Sequence, residues 1–272
     1  MPPTTIDDPD DPRVADYRQL NDAGFRRQVE APGPFHKGMF VVEGWLPVER
    51  LLPSRFGARS VLVDSAKVER AETLLHGRAV PLLAADRAVL DAIVGFPLHR
   101  GVVAAAERGL PILADGLIRR SRRLVVLDGV NDAENMGAII RNAVALGADA
   151  LLLDPTSCDP LSRRSVRVSV GHALSLPFAR PSWPDTLDRL RSEGVATIAL
   201  TPRRDATPIA ELELTDDQRI AMVLGAEGPG LSDDVVERCD RAARIPMARG
   251  IDSLNVASAA AIALNRLFDL GG

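Results

Sequence analysis

One stretch constrains the fold more than any other. The residues Arg219-Ile220-Ala221-Met222-Val223-Leu224 are compact, apolar and β-capable, and they empty into Gly225-Ala226-Glu227-Gly228-Pro229-Gly230. The first run predicts a short buried strand. A strand that ends in glycines sets bare backbone at the carboxyl end of a sheet, where open α/β sheets bind ligands. Gly225, Gly228 and Gly230 are expected to turn the chain through positive φ and to admit a flat ligand closely. A phosphate-cradling loop would end in Gly-Lys-Ser/Thr, whereas this one continues as Gly230-Leu231-Ser232. A nucleoside triphosphate is therefore not expected. The order G-x-x-G-x-G is also wrong for a dinucleotide fingerprint. By itself the loop equally fits an ordinary strand-to-helix turn.

The rest of the chain sets this stretch late in a repeated β-α rhythm. Residues 1–12, with Asp7-Asp8-Pro9-Asp10-Asp11-Pro12, read as a disordered acidic lead-in. Residues 13–109 read as a compact α/β domain, with strands expected at 40–44, 60–64, 80–82 and 99–105 and helices around 48–52 and 68–75. Residues 110–121 read as a linker, marked by Pro111 and Gly116 and running into the basic cluster Arg119-Arg120-Ser121-Arg122-Arg123. Over residues 122–272, strands are expected at 124–128, 150–154, 195–201, 219–224 and 244–247. Helices are expected at 136–146, 183–192, 232–239 and 254–267, with a loop and helix between Arg163 and Gly171. Such alternation predicts a mainly parallel sheet with helices on both faces.

Composition excludes several classes. Aromatic residues make up only 4% of the chain, so the core must be built from Ala, Val, Leu and Ile. No apolar run approaches the ~20 residues that a membrane span needs. The net charge of −4 argues against wholesale coating of nucleic acid but leaves room for a local basic groove. Cys158 and Cys239 suggest neither a disulfide framework nor a metal site, and the four histidines show no ligand spacing. With no positively charged, apolar leader before the fold, a cytoplasmic protein is expected.

Three polar constellations stand out. In Asn131-Asp132-Ala133-Glu134-Asn135-Met136-Gly137-Ala138-Ile139-Ile140-Arg141, Asn135 is a candidate N-cap. Gly137 lies one turn before Arg141 on the same face, leaving room for a bulky group against the guanidinium. Arg141 alone also reads as a solvated surface residue. Glu227, inside the glycine loop, reads as a site carboxylate or as a cap for the helix near Ser232. In Ile245-Pro246-Met247-Ala248-Arg249-Gly250-Ile251-Asp252-Ser253-Leu254-Asn255-Val256-Ala257, Ser253 could cap the last helix, with Asn255 in its first turn.

Taken jointly, N-x-G-x-x-x-R, L-G-x-E-G-x-G-L and I-P-M…S-L-N-V-A resemble the three motifs of the SpoU/TrmH family of RNA ribose 2′-O-methyltransferases. The resemblance covers roughly 122–270 and includes Ser165-Val166-Arg167-Val168-Ser169-Val170-Gly171. A frequent Asp-Pro before the first asparagine is replaced by Ala133-Glu134. The first half, through Phe40-Val41-Val42-Glu43-Gly44 and Gly95-Phe96-Pro97-Leu98-His99-Arg100-Gly101-Val102, resembles the ribosomal-protein-like substrate-binding domain often fused to such enzymes.

The resemblance implies S-adenosylmethionine (AdoMet) as methyl donor, an RNA substrate (rRNA or tRNA), a deep trefoil knot of the SPOUT class and a homodimer. Ala257, Ala260 and Ala261 would suit close helix packing in that dimer. By matching position it implies AdoMet contacts at Leu200, Thr201, Gly225, Ile245 and Leu254. It implies a catalytic group of Arg141, Asn135, Glu227, Ser253 and Asn255. RNA contacts are expected at Arg100, Arg119, Arg120, Arg122, Arg123, Arg163, Arg164 and Arg167. The competing expectations are an RNA-binding module that has lost catalysis and a base N-methyltransferase on the same scaffold. A Rossmann dehydrogenase fits poorly, since no G-x-G-x-x-G follows the first strand.

Overall fold

A computed structural model of the protein describes residues 2–31, 38–215 and 217–268. The chain divides into two compact units. One comprises residues 1–110 with 161–175, and the other comprises 111–160 with 176–272.

In the first unit the strands are β1 (Thr4–Ile6), β2 (Met39–Glu43), β3 (Ala58–Asp64), β4 (Leu82–Ala85) and β5 (Val102–Glu107). They form one mixed sheet in the order β1-β4-β3-β5-β2. The parallel set β1, β4 and β3 meets β5, which runs antiparallel to both β3 and β2. The helices are α1 (Ala23–Glu30), α2 (Trp45–Leu51), α3 (Val68–Leu74) and α4 (Arg87–Val94). A core of Ile6, Tyr17, Met39, Leu62 and Leu90 closes one face. The Tyr17 hydroxyl shares a 2.6 Å hydrogen bond with Ser60 and accepts one of 3.2 Å from the Ala105 N–H. Burial would make an unpaired hydroxyl costly there.

The second unit runs through α5 (Ala114–Arg120), β6 (Arg123–Asp128), α6 (Ala133–Ala145) and β7 (Ala150–Leu153). The next helix, α7 (Arg163–Val168), belongs to the first unit. The second unit resumes with β8 (Phe178–Ala179), α8 (Thr186–Ser192), β9 (Val195–Leu200), β10 (Thr207–Pro208) and β11 (Arg219–Gly225). It ends with α9 (Asp233–Arg238), β12 (Arg241–Arg244) and α10 (Val256–Leu267). Seven strands, all parallel, lie in the order β10-β12-β9-β11-β6-β7-β8. The expected α/β class with a parallel sheet is what forms. Strands buried on both faces explain why Leu124–Leu127 and Ile220–Leu224 are continuously apolar.

Strand β11 is inserted between β6 and β9, with Leu224 opposite both Leu127 and Leu200, and Leu200 opposite Ala243. The loops that leave β9, β11 and β12 therefore emerge at the same end of the sheet. Helix α10 lies on α6, where the Asn142 side chain donates to the Ala257 carbonyl at 2.9 Å. Ala257, Ala260 and Ala263 are buried within the chain itself, so at least two of the alanines assigned to a dimer contact already serve this packing.

Four sequence expectations are corrected. Of the expected disordered lead-in, Met1 lies outside the described residues and residues 2–12 are ordered, because Thr4–Ile6 pair with Leu83–Ala85 and Ile6 is fully buried. The aspartates there make turns and caps: Asp8 accepts from the Asp10 N–H, and Asp11 from the Arg13 N–H. Residues 110–121 are not merely a linker, since α5 buries Leu117 and Ile118 in the core of the second unit. The segment 161–175 leaves the second unit, although it lies inside the 122–272 stretch. The expected strand at 244–247 ends at Arg244 instead of beginning there.

No described helix is long and apolar enough to cross a membrane. Among the described residues, no His, Cys, Asp or Glu cluster could hold a metal ion, and neither cysteine forms a disulfide.

The Asp128 carboxyl, at the end of β6, is raised above the usual carboxylate range by burial and then by the nearby Asp154 charge, with a Trp183 hydrogen bond acting in the opposite direction. A raised folded pKa means that acidification through it favours the folded state, and that this contribution is lost as pH rises. Asp128→Asn is therefore expected to raise the unfolding temperature at pH 8. The gain should shrink towards pH 4, as read by thermal unfolding at the two pH values.

Candidate active site

The three loops at the carboxyl end of the second sheet enclose a cavity of about 590 Å³. Its walls come from Leu200 and Thr201 after β9, the whole of 224–231 around the end of β11, and Ile245, Met247 and 253–256 after β12. All five residues assigned to the methyl donor, Leu200, Thr201, Gly225, Ile245 and Leu254, line it. Of the catalytic group, Glu227, Ser253 and Asn255 line it as well.

Gly225 is required for a reason the sequence did not reveal. Its φ is not positive, unlike those of Gly228 (88°) and Gly230 (68°). A Cβ on Gly225 would lie 2.5 Å from the Gly230 carbonyl carbon and the Leu231 nitrogen. The glycine loop folds back over it, closed by the Gly230 N–H donating to the Ala226 carbonyl at 3.2 Å. Backbone thus meets backbone, and this forms one wall of the cavity.

The polar centre is held by Asn255. It caps α10, its Oδ1 accepting from the Ala257 N–H at 3.0 Å and the Ser258 N–H at 3.2 Å. The cap requires the amide oxygen, so the Nδ2 group must donate elsewhere. It donates to Asn135 Oδ1 at 2.9 Å and to Glu227 Oε1 at 2.6 Å. One amide therefore joins the three motifs, from residues 120 and 28 positions away. The bookkeeping leaves the Asn135 NH2 and the second Glu227 oxygen available to a ligand. The alternative reading of Ser253 as the cap of the last helix does not hold, and Asn135 is not the cap of α6. That role falls to Asp132, whose Oδ1 accepts from the Glu134 and Asn135 N–H groups at 2.9 and 2.8 Å. Asp132 in turn fixes where Asn135 stands. An acidic residue three before Asn135 was the readable signal for it.

Arg141 lies further along α6, exposed, and it is not part of the cavity wall. Asn135 and Arg141 are six residues apart, which at 3.6 residues per turn is about a third of a turn out of line. The chain alone does not bring Arg141 into the cavity.

Electrostatically the cavity is acidic. Arg203, at its edge, is ion-paired to Asp233, which leaves Glu227 unbalanced. Nearby, Asp154 ties the loop after β6 to the loop after β7. Its carboxylate accepts from the N–H groups of Gly129, Thr156 and Ser157 and from both hydroxyls. Burial pushes this carboxyl up, but those hydrogen bonds outweigh it and hold it below the usual range.

The arginines divide. Arg119 and Arg120, on α5, and Arg122 are exposed, while Arg123 is half-buried at the start of β6. In the first unit, Arg100 and Arg164 are exposed. Arg163 is committed internally: it pairs with the buried Glu43, donates to Asn21 Oδ1 at 3.2 Å and covers the Phe96 ring at 4.7 Å. It is a structural cation and not an open contact. Arg167 reaches the same Glu43 at 3.5 Å.

The SpoU rRNA Methylase family model matches residues 122–265. An uncharacterised tRNA/rRNA methyltransferase of Mycobacterium tuberculosis is 42% identical, with 94% of this chain and 88% of that protein covered. The 23S rRNA (guanosine-2′-O-)-methyltransferase RlmB of Escherichia coli is 32% identical, over 70% of this chain and 79% of that protein. The crystal structure of an AdoMet-bound rRNA methyltransferase from Sinorhizobium meliloti superposes with a TM-score of 0.80 at 25% identity. It covers 97% of this chain and 96% of that one.

Proposed function

The chain belongs to the SpoU rRNA methylase family, and on that premise we propose that it uses AdoMet to methylate a ribose 2′-hydroxyl of RNA. One observation carries the reading most: a single amide, Asn255, joins Asn135 and Glu227 beside a cavity walled by glycine-loop backbone. The fold is that of the SPOUT class, and the likeness to solved SpoU methyltransferase structures supports the knot. The RNA is proposed to be ribosomal, and the cytoplasm is the proposed place of action.

The cavity fits the donor. Its volume suits a small-molecule site, and Leu200, Leu224, Ile245 and Leu254 offer apolar surface to a flat purine. Its unbalanced carboxylate suits a cation, and among the described residues that line it no unpaired cation is offered to a string of phosphates. When bound, AdoMet supplies an electrophilic methyl group on a positive sulfur.

A ribose hydroxyl must lose its proton as it attacks. A guanidinium stays charged in proteins, so Arg141 is assigned to hold the ribose and adjacent phosphate and to stabilise the developing oxyanion. The Glu227 oxygen left free by Asn255 is assigned as proton acceptor. The Asn135 NH2 and the Ser253 hydroxyl orient the attacking oxygen. Because Arg141 is absent from its own chain's cavity wall, a homodimer is proposed, in which a second copy brings the arginine and the cavity together. Exposed Ile251 and Ile262 offer it apolar surface.

Methyl transfer from labelled AdoMet into ribosomal RNA tests the reading, and labelled protein with unlabelled RNA would refute it. Asn255→Asp keeps the helix cap but sets a carboxylate beside Glu227. Transfer by that variant is expected to fall by at least about tenfold, since a hydrogen bond to a charged group is commonly worth about 1.5–3 kcal/mol, while its far-ultraviolet circular dichroism stays unchanged.

A further inference from the structure

We propose that the first unit carries a second recognition pocket, a subsite for one unpaired nucleotide of the RNA substrate, built around Arg100, Arg167 and Phe96. It rests on the reading of the protein as an RNA methyltransferase and adds a site to it. A cavity of about 560 Å³ lies among Glu43, Phe96, Pro97, His99, Arg100 and Arg167. It belongs wholly to the first unit and has no part in the AdoMet cavity.

Charge is the first argument. Glu43, buried at the end of β2, is the carboxylate of this pocket, and Arg163 already neutralises it through a direct ion pair. Arg167 approaches the other Glu43 oxygen only at 3.5 Å and is 38% exposed. The Arg100 guanidinium has no hydrogen bond or ion pair to any described residue. Three guanidiniums against one carboxylate leave a surplus that calls for an anion, and a phosphodiester supplies one in the planar form that arginine binds best.

Pre-organisation is the second. An exposed arginine ordinarily loses rotamer freedom when a ligand orders it. Here the Arg100 carbonyl is pinned from two sides, accepting from Trp45 Nε1 at 3.0 Å and Lys67 Nζ at 3.1 Å. Its side chain lies against Gly44, where φ is 100° and a Cβ would come within 2.9 Å of the guanidinium. Trp45 is itself covered by Arg70 at 4.1 Å. The main chain at Arg100 is thus fixed before any anion arrives, with the side chain resting on the bare backbone of Gly44.

Shape is the third. The pocket is larger than a phosphate needs, and Pro97 and the part of Phe96 that Arg163 leaves uncovered give it an apolar wall beside the imidazole of His99. Concave sites with an aromatic wall and flanking arginines take bases that are splayed out of a helix, whereas paired RNA is met through its backbone and groove shape.

The test uses the full chain and a short single-stranded RNA carrying 4-thiouridine, irradiated and mapped by peptide mass spectrometry. Crosslinks to the peptide containing 96–100 or to that containing 163–168 are expected, and Arg100→Glu should weaken binding at least tenfold. The slope of log Kd against log salt should fall by about 0.7 for each phosphate that is no longer neutralised. His99→Ala provides a second variant at an exposed position, and it too should weaken binding of the oligonucleotide. Inorganic phosphate at millimolar concentration should compete poorly. Competition as good as that of the oligonucleotide would overturn the nucleotide assignment, and equal loss with a duplex would overturn the unpaired one. Methyl transfer with no crosslink in either peptide refutes the subsite alone. A crosslink there without any methyl transfer upholds the subsite and refutes the proposed function.

Discussion

Arg141→Ala is expected to lower methyl transfer at saturating RNA and AdoMet by about 10²-fold or more, the range found when one pre-organised donor to a developing oxyanion is removed. The same variant should melt within about 0.5 kcal/mol of the parent, because an exposed helix position whose side chain pairs with no described residue contributes little to folding. AdoMet affinity should also hold, since Arg141 is not part of the cavity wall. The combination is diagnostic. A residue acting only by supporting the fold would lose stability and donor binding together with rate. Arg141→Lys should recover little, because a point charge does not reproduce the bidentate grip on ribose and phosphate. Turnover equal to the parent's would remove Arg141 from the mechanism, and mixed dimers of Arg141→Ala with an Asn255 variant would show whether the arginine acts across the two chains.

Gly225→Ala is expected to have the larger effect on donor binding. The added carbon would stand 2.5 Å from backbone atoms of Gly230 and Leu231, and backbone cannot yield as the tip of a side chain can. Either β11 or the loop over it must move, at a cost of about 1–3 kcal/mol for overpacking of this kind. The wall that would meet AdoMet moves with them. Titration calorimetry should show AdoMet affinity down by at least about tenfold, the equivalent of about 1.4 kcal/mol. Gly228→Ala is the matching control. At φ 88° it carries backbone strain, but nothing lies within 4 Å of its new carbon. Its effect on AdoMet should be the smaller of the two. The reverse order would mean that loop flexibility, and not the close approach at Gly225, makes the site.

What was legible in the sequence follows from how local its cause is. The runs 124–127 and 220–224 announced themselves because strands buried on both faces must be apolar throughout. The start of α9 near Ser232 was readable too, although the cap offered for it was Glu227 and the hydroxyl that caps it, accepting from the Val235 N–H at 3.3 Å, is that of Ser232. Non-local causes stayed hidden. Nothing near Gly225 says that residues 230 and 231 return to touch it. Asn255 reads as a first-turn residue until its oxygen is seen holding the cap and its nitrogen bridging to residues 120 and 28 positions away. Arg163 looked like an RNA contact because Glu43, its partner 120 residues earlier, cannot be found by spacing. The acidic composition of residues 7–12 misled for the opposite reason. Asp and Pro are as much turn and cap residues as markers of disorder, and Ile6 supplied the buried side chain that anchors the segment.

The central claim, that the two parts of the site act on a sugar hydroxyl and not on a base, is tested most directly by the chemistry of the product. RNA methylated by this protein with labelled AdoMet can be divided and treated in two ways. Complete digestion to nucleosides should place all label on 2′-O-methylribose, and alkaline hydrolysis should leave it in a dinucleotide, because the blocked hydroxyl cannot attack its neighbouring phosphate. Label recovered on a methylated base, with alkali releasing it as single nucleotides, would contradict the account.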